Sequence, residues 1–143
     1  MKTKSNSIDL GYVHMSSYKP GSKLDEYAEE DGRVSPDPKE IVLNEGTYEL
    51  EITYPLSNPF KGKFKVGKRG LSREKLVEKV IASYNHIYAT EDGDVGAKTG
   101  NIPGMLNRAR SNGRYGIWGH DMSDLMLHTA YVTGKKVEVS CDS

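Results

Sequence analysis

"LSREKLVEKVIASYNHIYATEDG", residues 71–93, decides the fold. Leu76, Val77, Val80, Ile81, Tyr84, Ile87 and Tyr88 recur at the spacing of one helical face, and Arg73, Glu74, Lys75, Glu78, Lys79 and Asn85 cover the other side. Ser72 is placed to cap the first turn, because its hydroxyl can accept from an amide that has no partner within the helix. Gly93 supplies a stop. An amphipathic helix of this length needs a sheet to cover.

The sheet is legible on both sides of the helix. In "GTYELEITYPL" Tyr48, Leu50, Ile52 and Tyr54 alternate with Thr47, Glu49, Glu51 and Thr53, the pattern of a half-buried strand. Pro55 and Pro59 break it, and "SNPFKG" reads as a turn. "KFKVG" follows as a second strand, with Phe64 and Val66 inward and Lys63, Lys65 and Lys68 outward. The two are expected to pair antiparallel. Beyond the helix, "DLMLHTAYV" is apolar on both alternating sets, which predicts a strand buried on two sides. A "TGK" turn leads to a closing strand with Val137, Val139 and Cys141 on one face. The expected class is α+β: a mainly antiparallel sheet under one amphipathic helix, with a long Gly-rich loop between helix and closing hairpin.

The 143 residues suffice for one core. The hydrophobic share of 36% and mean hydropathy of -0.65 are low, so part of the chain is expected outside it. That part is residues 1–40, rich in Pro, Gly and acids, read either as a mobile arm or as one that docks on the body or on a neighbouring subunit; "IDLGYVHM" has strand character. The folded domain is expected over 41–143. No apolar run reaches a membrane span, and the start lacks the apolar stretch of a secretory signal. Twenty basic and twenty acidic residues balance, so a nucleic-acid partner is not expected from overall charge. One cysteine, Cys141, excludes an intrachain disulfide and fits a reducing, cytoplasmic setting.

Residues 93–123 hold Gly93, Gly96, Gly100, Gly104, Gly113, Gly116 and Gly119. "PGMLNRARS" suggests one or two helical turns there. From Ala97 to His120 there is no aspartate or glutamate, whereas Lys98, Arg108, Arg110 and Arg114 bring positive charge. Glycines let backbone N–H groups approach a ligand, and guanidinium forks match phosphate or carboxylate. Tyr115 and Trp118 add flat faces for stacking. The pattern therefore describes an anion cradle for a small phosphorylated ligand such as a nucleotide, with His120 donating or orienting and Asp121 or Asp124 fixing His120 or reading a hydroxyl. The plainer alternative is a solvated basic loop with Trp118 plugging the core. No phosphate-binding loop motif is present.

"GHDMSD" also admits acid–base chemistry, with His120 oriented by Asp121 or Asp124 as in a phosphoesterase or other nucleotide-processing enzyme. A metal would need a third ligand, for which His128 is the nearby candidate; neither metal nor cofactor is expected. A turn stitched by Asp121 and Ser123 is the structural alternative. A protein-interaction module using the loop or the acidic arm is the third class.

Between Tyr48 and Tyr131 the chain resembles a family of small, mostly uncharacterised proteins of viruses and bacteria, on "YGIWGHDMSDL" (115–125) preceded by "VGKRGLSREKLVEKVIASYNHIYATED" (66–92). That resemblance implies no catalytic residue. In size and site chemistry, without a shared motif, the chain is also similar to phage proteins that sequester nucleotide immune signals. This second likeness implies a cytoplasmic, commonly oligomeric binder that holds its ligand with arginines and aromatics.

Overall fold

The computed structural model describes residues 5–96, Gly100 and 108–143. Its elements are β1 (Ser5–His14), β2 (Ile41–Leu43), β3 (Gly46–Ile52), β4 (Phe60–Val66), β5 (Leu71–Ser72), α1 (Arg73–Val95), a 3-10 turn (Met122–Asp124), β6 (Met126–Thr133) and β7 (Lys136–Asp142). The architecture is α+β. A five-stranded sheet runs in the order β1-β6-β7-β3-β4, and β2 and β5 form a small second sheet. All ladders are antiparallel except β3 with β7.

Helix α1 starts where the sequence places it: Ser72 Oγ accepts from the Lys75 amide at 3.4 Å. It does not stop at Gly93. The ladder continues to Val95, and Gly96 closes it at φ 79, with its N–H on the Gly93 carbonyl. An L-residue at that left-handed φ would be strained, so the glycine that ends the helix is the one able to take it. Leu76, Val77, Val80, Tyr84 and Ile87 are buried, and they pack on the sheet face that carries Tyr48, Leu50 and Ile52.

The opposite sheet face is open. Thr47, Lys61, Lys63, Lys65, Thr133 and Glu138 are exposed there, and Tyr131 keeps 42% of its surface. The two-sided burial expected of β6 is therefore absent. Leu127, Ala130 and Val132 go inward, and a register shift at His128 and Thr129 accommodates their uneven spacing.

The main sheet crosses the boundary drawn at residue 41. Strand β1 pairs with β6 from Ser5↔Thr133 to His14↔Met126, and Leu10, Val13, Met15, Leu24 and Ala28 belong to the buried interior. Burying a side chain the size of Leu or Met contributes roughly 1.5–3 kcal/mol, so this segment is part of what stabilises the fold. Gly11 lies in the irregular part of the ladder at φ +89, directly against the Leu24 carbonyl, which accepts from the Tyr12 amide at 2.7 Å. Residues 25–40 are tied down by charge. Arg33 clamps Asp25 through Nε and Nη2 at 3.0 and 3.2 Å. Arg73, at the first turn of α1, donates to the Asp9 and Asp37 carbonyls and to Glu40 Oε1. Among the described residues no helix is long and apolar enough to cross a membrane.

Candidate functional site

The loop from Arg108 to Leu125 is held by its own backbone and by residues 55–58. Ser111 N–H donates to the Ile117 carbonyl (2.9 Å), Trp118 N–H to Pro55 O (3.0 Å), and Ser57 N–H to Gly116 O (2.9 Å). Alternation along this pairing sends Ile117 fully inward and Trp118 outward. The plug over the core is thus Ile117, while the indole is 40% exposed. Gly116 is required twice over: its φ is +61, and a Cβ there would press on Ser57.

One side of α1 organises the loop through polar tips. Tyr84, Tyr88 and Glu91 lie at i, i+4 and i+7 and so share a face. The Tyr84 hydroxyl donates to the Tyr54 carbonyl (2.8 Å), and that of Tyr88 to the His120 carbonyl (2.7 Å). Glu91 is 0% exposed. It accepts from Ser111 Oγ (2.5 Å) and from the backbone amides of Gly113 (2.9 Å) and Tyr115 (3.0 Å). Burial pushes its carboxyl pKa up, but these hydrogen bonds outweigh burial and hold it below the ordinary glutamate value. A Cβ at Gly113 would overlap the Glu91 carboxylate, so this glycine permits a close approach.

Two arginines of the loop meet the same end of the helix. Arg114 grips Asp94 through Nε (2.9 Å) and Nη2 (3.0 Å), and its amide adds a third bond (3.0 Å). These bonds hold the Asp94 carboxyl below its usual range. Arg108 is 2% exposed and reaches Asp92 (3.2 Å) and Asp121 (3.4 Å), with its guanidinium carbon 5.0 Å from the centre of the Tyr88 ring. Among the described residues its Nε has no hydrogen-bond partner. Glu91, Asp92 and Asp94 sit at the negative end of the α1 dipole, where acids are unfavourable; the loop's cations and amides offset them.

The described part of the acid-free stretch thus meets carboxylates of the chain itself: Glu91 at Gly113 and Tyr115, Asp94 at Arg114, and Asp92 and Asp121 at Arg108. Arg110 differs. Its Nη2 lies 3.3 Å from the Ser57 hydroxyl, it is exposed, and among the described residues it forms no ion pair. Lys98, and most of "PGMLNRARS", lie outside the described residues.

Asp121 and Asp124 form a capping box on the 3-10 turn, and His120 lies just ahead of it. Asp121 Oδ1 accepts from the Met122 amide (3.0 Å), and Asp124 Oδ2 accepts from the Asp121 amide (3.1 Å). His120 Nδ1 stands 3.7 Å from Asp124 Oδ2, beyond hydrogen-bond length. His128 points elsewhere, with Nε2 3.3 Å from Asp142. Among the described residues no three His, Cys, Asp or Glu side chains gather as a metal site. Beside His120 the Tyr54 ring meets the indole of Trp118 edge-on (centroids 5.3 Å, 90°) and the imidazole at 5.9 Å. Tyr115 turns away from this ledge towards Phe60, at 6.1 Å.

The organising residues missing from the candidate set are Glu91, Asp92, Asp94 and Tyr54. The run "TEDGD" carried a signal for the first three: acids crowded at a helix C-terminus call for a cation partner. No family model, curated protein or solved structure matches the chain.

Proposed function

We propose that this is a non-enzymatic binding protein that captures a small phosphorylated ligand bearing a flat ring, such as a nucleotide. The ring stacks on Trp118 within the Tyr54–Trp118–His120 ledge, and Arg110 meets the phosphate. The observation that carries this reading is the indole: 40% exposed, yet fixed through its backbone N–H on Pro55 and by the edge of Tyr54. A rigid exposed aromatic ring loses little freedom when a ligand stacks on it. Arg108 and Arg114 take structural roles in this reading, since both are already neutralised. The enzymatic alternative has less support, because Asp121 and Asp124 are engaged in the cap and neither lies within hydrogen-bond distance of His120.

Magnitudes limit a single chain. Stacking contributes about 1–3 kcal/mol per base, and one exposed guanidinium–phosphate contact adds little. A lone chain would then bind no more tightly than a Kd on the order of 1 mM. Tight capture calls for a second subunit closing over the ledge, in keeping with the likeness to phage proteins that sequester nucleotide signals. The lone thiol, Cys141, is pushed by burial to about 11, an unreactive state that suits a cytoplasmic protein.

Trp118 is the only tryptophan, so intrinsic fluorescence reads the site directly. Titration with a panel of adenine and guanine nucleotides is expected to quench it saturably. By calorimetry, Trp118→Ala should abolish binding and Arg110→Ala should weaken it with the fold intact. Unchanged fluorescence and no heat at millimolar nucleotide would sink the proposal. Native mass spectrometry of protein from its natural host gives the subunit count and any retained small molecule.

A further inference from the structure

Strand β4 is an edge of the five-stranded sheet, and among the described residues no strand pairs outside it. Its two faces differ sharply. Lys61, Lys63 and Lys65 project from the open face and are exposed, and Lys68 and Arg69 follow, so residues 61–69 hold five basic side chains and no acid. Across the ladder lie Glu51, opposite Lys61, and Glu49, opposite Lys63. Glu51 is engaged by Lys136 at 2.6 Å, and among the described residues none of these five basic groups forms an ion pair within 4 Å. The other face of β4 carries Phe60, Gly62 and Phe64. Both rings are only half-buried, because the helix leaves a groove of about 250 Å³ between them and Lys79, Ala82 and Ser83.

We propose that this edge is a strand-addition site for an extended segment of a partner protein in which acidic and apolar residues alternate. A strand added to β4 shares its two-residue period, so one set of its side chains lies over the lysines and the other enters the groove. Alternation of acid with apolar residue satisfies both faces at once.

The same geometry disfavours other occupants. A second copy paired antiparallel about Lys63 would set Lys63 against Lys63 and Lys61 against Lys65, and like charges directly opposite are destabilising. Edge lysines guard against self-association in this way, and the charge that repels another β4 attracts an acidic strand. Single-stranded nucleic acid needs cations and stacking rings on one surface. Here the three lysines of β4 point away from its phenylalanines, whose side of the strand carries one lysine, Lys79, with Nζ 5.4 Å from the centre of the Phe64 ring.

The test uses the full chain and two capped peptides of equal composition: alternating Glu-Val-Glu-Phe-Glu-Val-Glu and blocked Glu-Glu-Glu-Glu-Val-Val-Phe. Calorimetry should show the alternating peptide binding at least about tenfold more tightly. Hydrogen exchange should show new protection within Phe60–Val66. The combined variant Lys61→Gln, Lys63→Gln and Lys65→Gln, all at exposed positions, sets no like charge against Glu49 or Glu51 and should lose at least about tenfold in affinity while its circular dichroism stays unchanged. Equal affinity for both peptides, no added protection in β4, or tighter binding of oligothymidylate than of the alternating peptide would each overturn the proposal.

Discussion

Glu91→Ala is expected to lower the unfolding free energy by about 3–5 kcal/mol, measured by urea denaturation. The substitution removes the acceptor from three donors at once: the Ser111 hydroxyl and the Gly113 and Tyr115 amides. Each donor left buried without a partner costs about 1–3 kcal/mol, with some relief where water enters. The melting temperature should fall by roughly 10 °C or more. Glu91→Gln keeps the shape and one acceptor oxygen but turns an NH2 group towards donors, so its loss should be intermediate. Asp94→Ala, at the exposed rim, should cost less than either. A near-neutral Glu91→Ala would mean that the loop does not depend on this carboxylate.

The pH dependence has a definite sign. Glu91, Asp94 and Glu51 are all held below their ordinary values in the folded state. In the unfolded chain they bind protons more readily. Their contribution is therefore complete above the ordinary carboxylate range and is lost as pH falls through the depressed folded values. Stability should decline on acidification, and less steeply in Glu91→Gln.

Gly11→Ala should be comparably damaging, by about 3–5 kcal/mol. The residue sits at φ +89, and a Cβ would run into the Leu24 backbone carbonyl, which cannot swing aside as a side chain can. Relief requires moving β1 away from the segment that supplies Leu24, and both contribute to the core. Gly21→Ala is the control. Its φ is +91 but nothing lies within 4 Å of the added atom, so only the conformational cost of about 1–2 kcal/mol should appear. Equal effects at the two positions would show that residues 10–24 are not packed as described.

Helix α1 and its sheet were legible because their patterns are local. Apolar spacing from Leu76 to Tyr88 and alternation from Tyr48 to Tyr54 report burial whatever the rest of the chain does. Strand β1 was harder to read: the alternation of Ile8, Asp9 and Leu10 breaks at Gly11, beyond which Val13 and Met15 are the buried set, and the partner that makes it a strand, β6, lies more than a hundred residues away. The acid-free loop was legible as a run of glycine and positive charge. Its internal partners were not, because the pairing of Gly113 and Tyr115 with Glu91, and of Arg114 with Asp94, depends on how the loop folds back over the helix end. The outward turn of Trp118 follows from its register with Pro55, another contact that a linear reading lacks.

The central claim is that the loop closes around a buried, ionised Glu91 and so fixes Trp118 at the surface. The most direct measurement is the amide resonances of Gly113 and Tyr115 followed by NMR as the protein is acidified. The account predicts that both shift together, with one midpoint below 4.5, the ordinary glutamate value, and that neither titration occurs in Glu91→Gln. Midpoints at or above that value, or amides that titrate independently of each other, would contradict it.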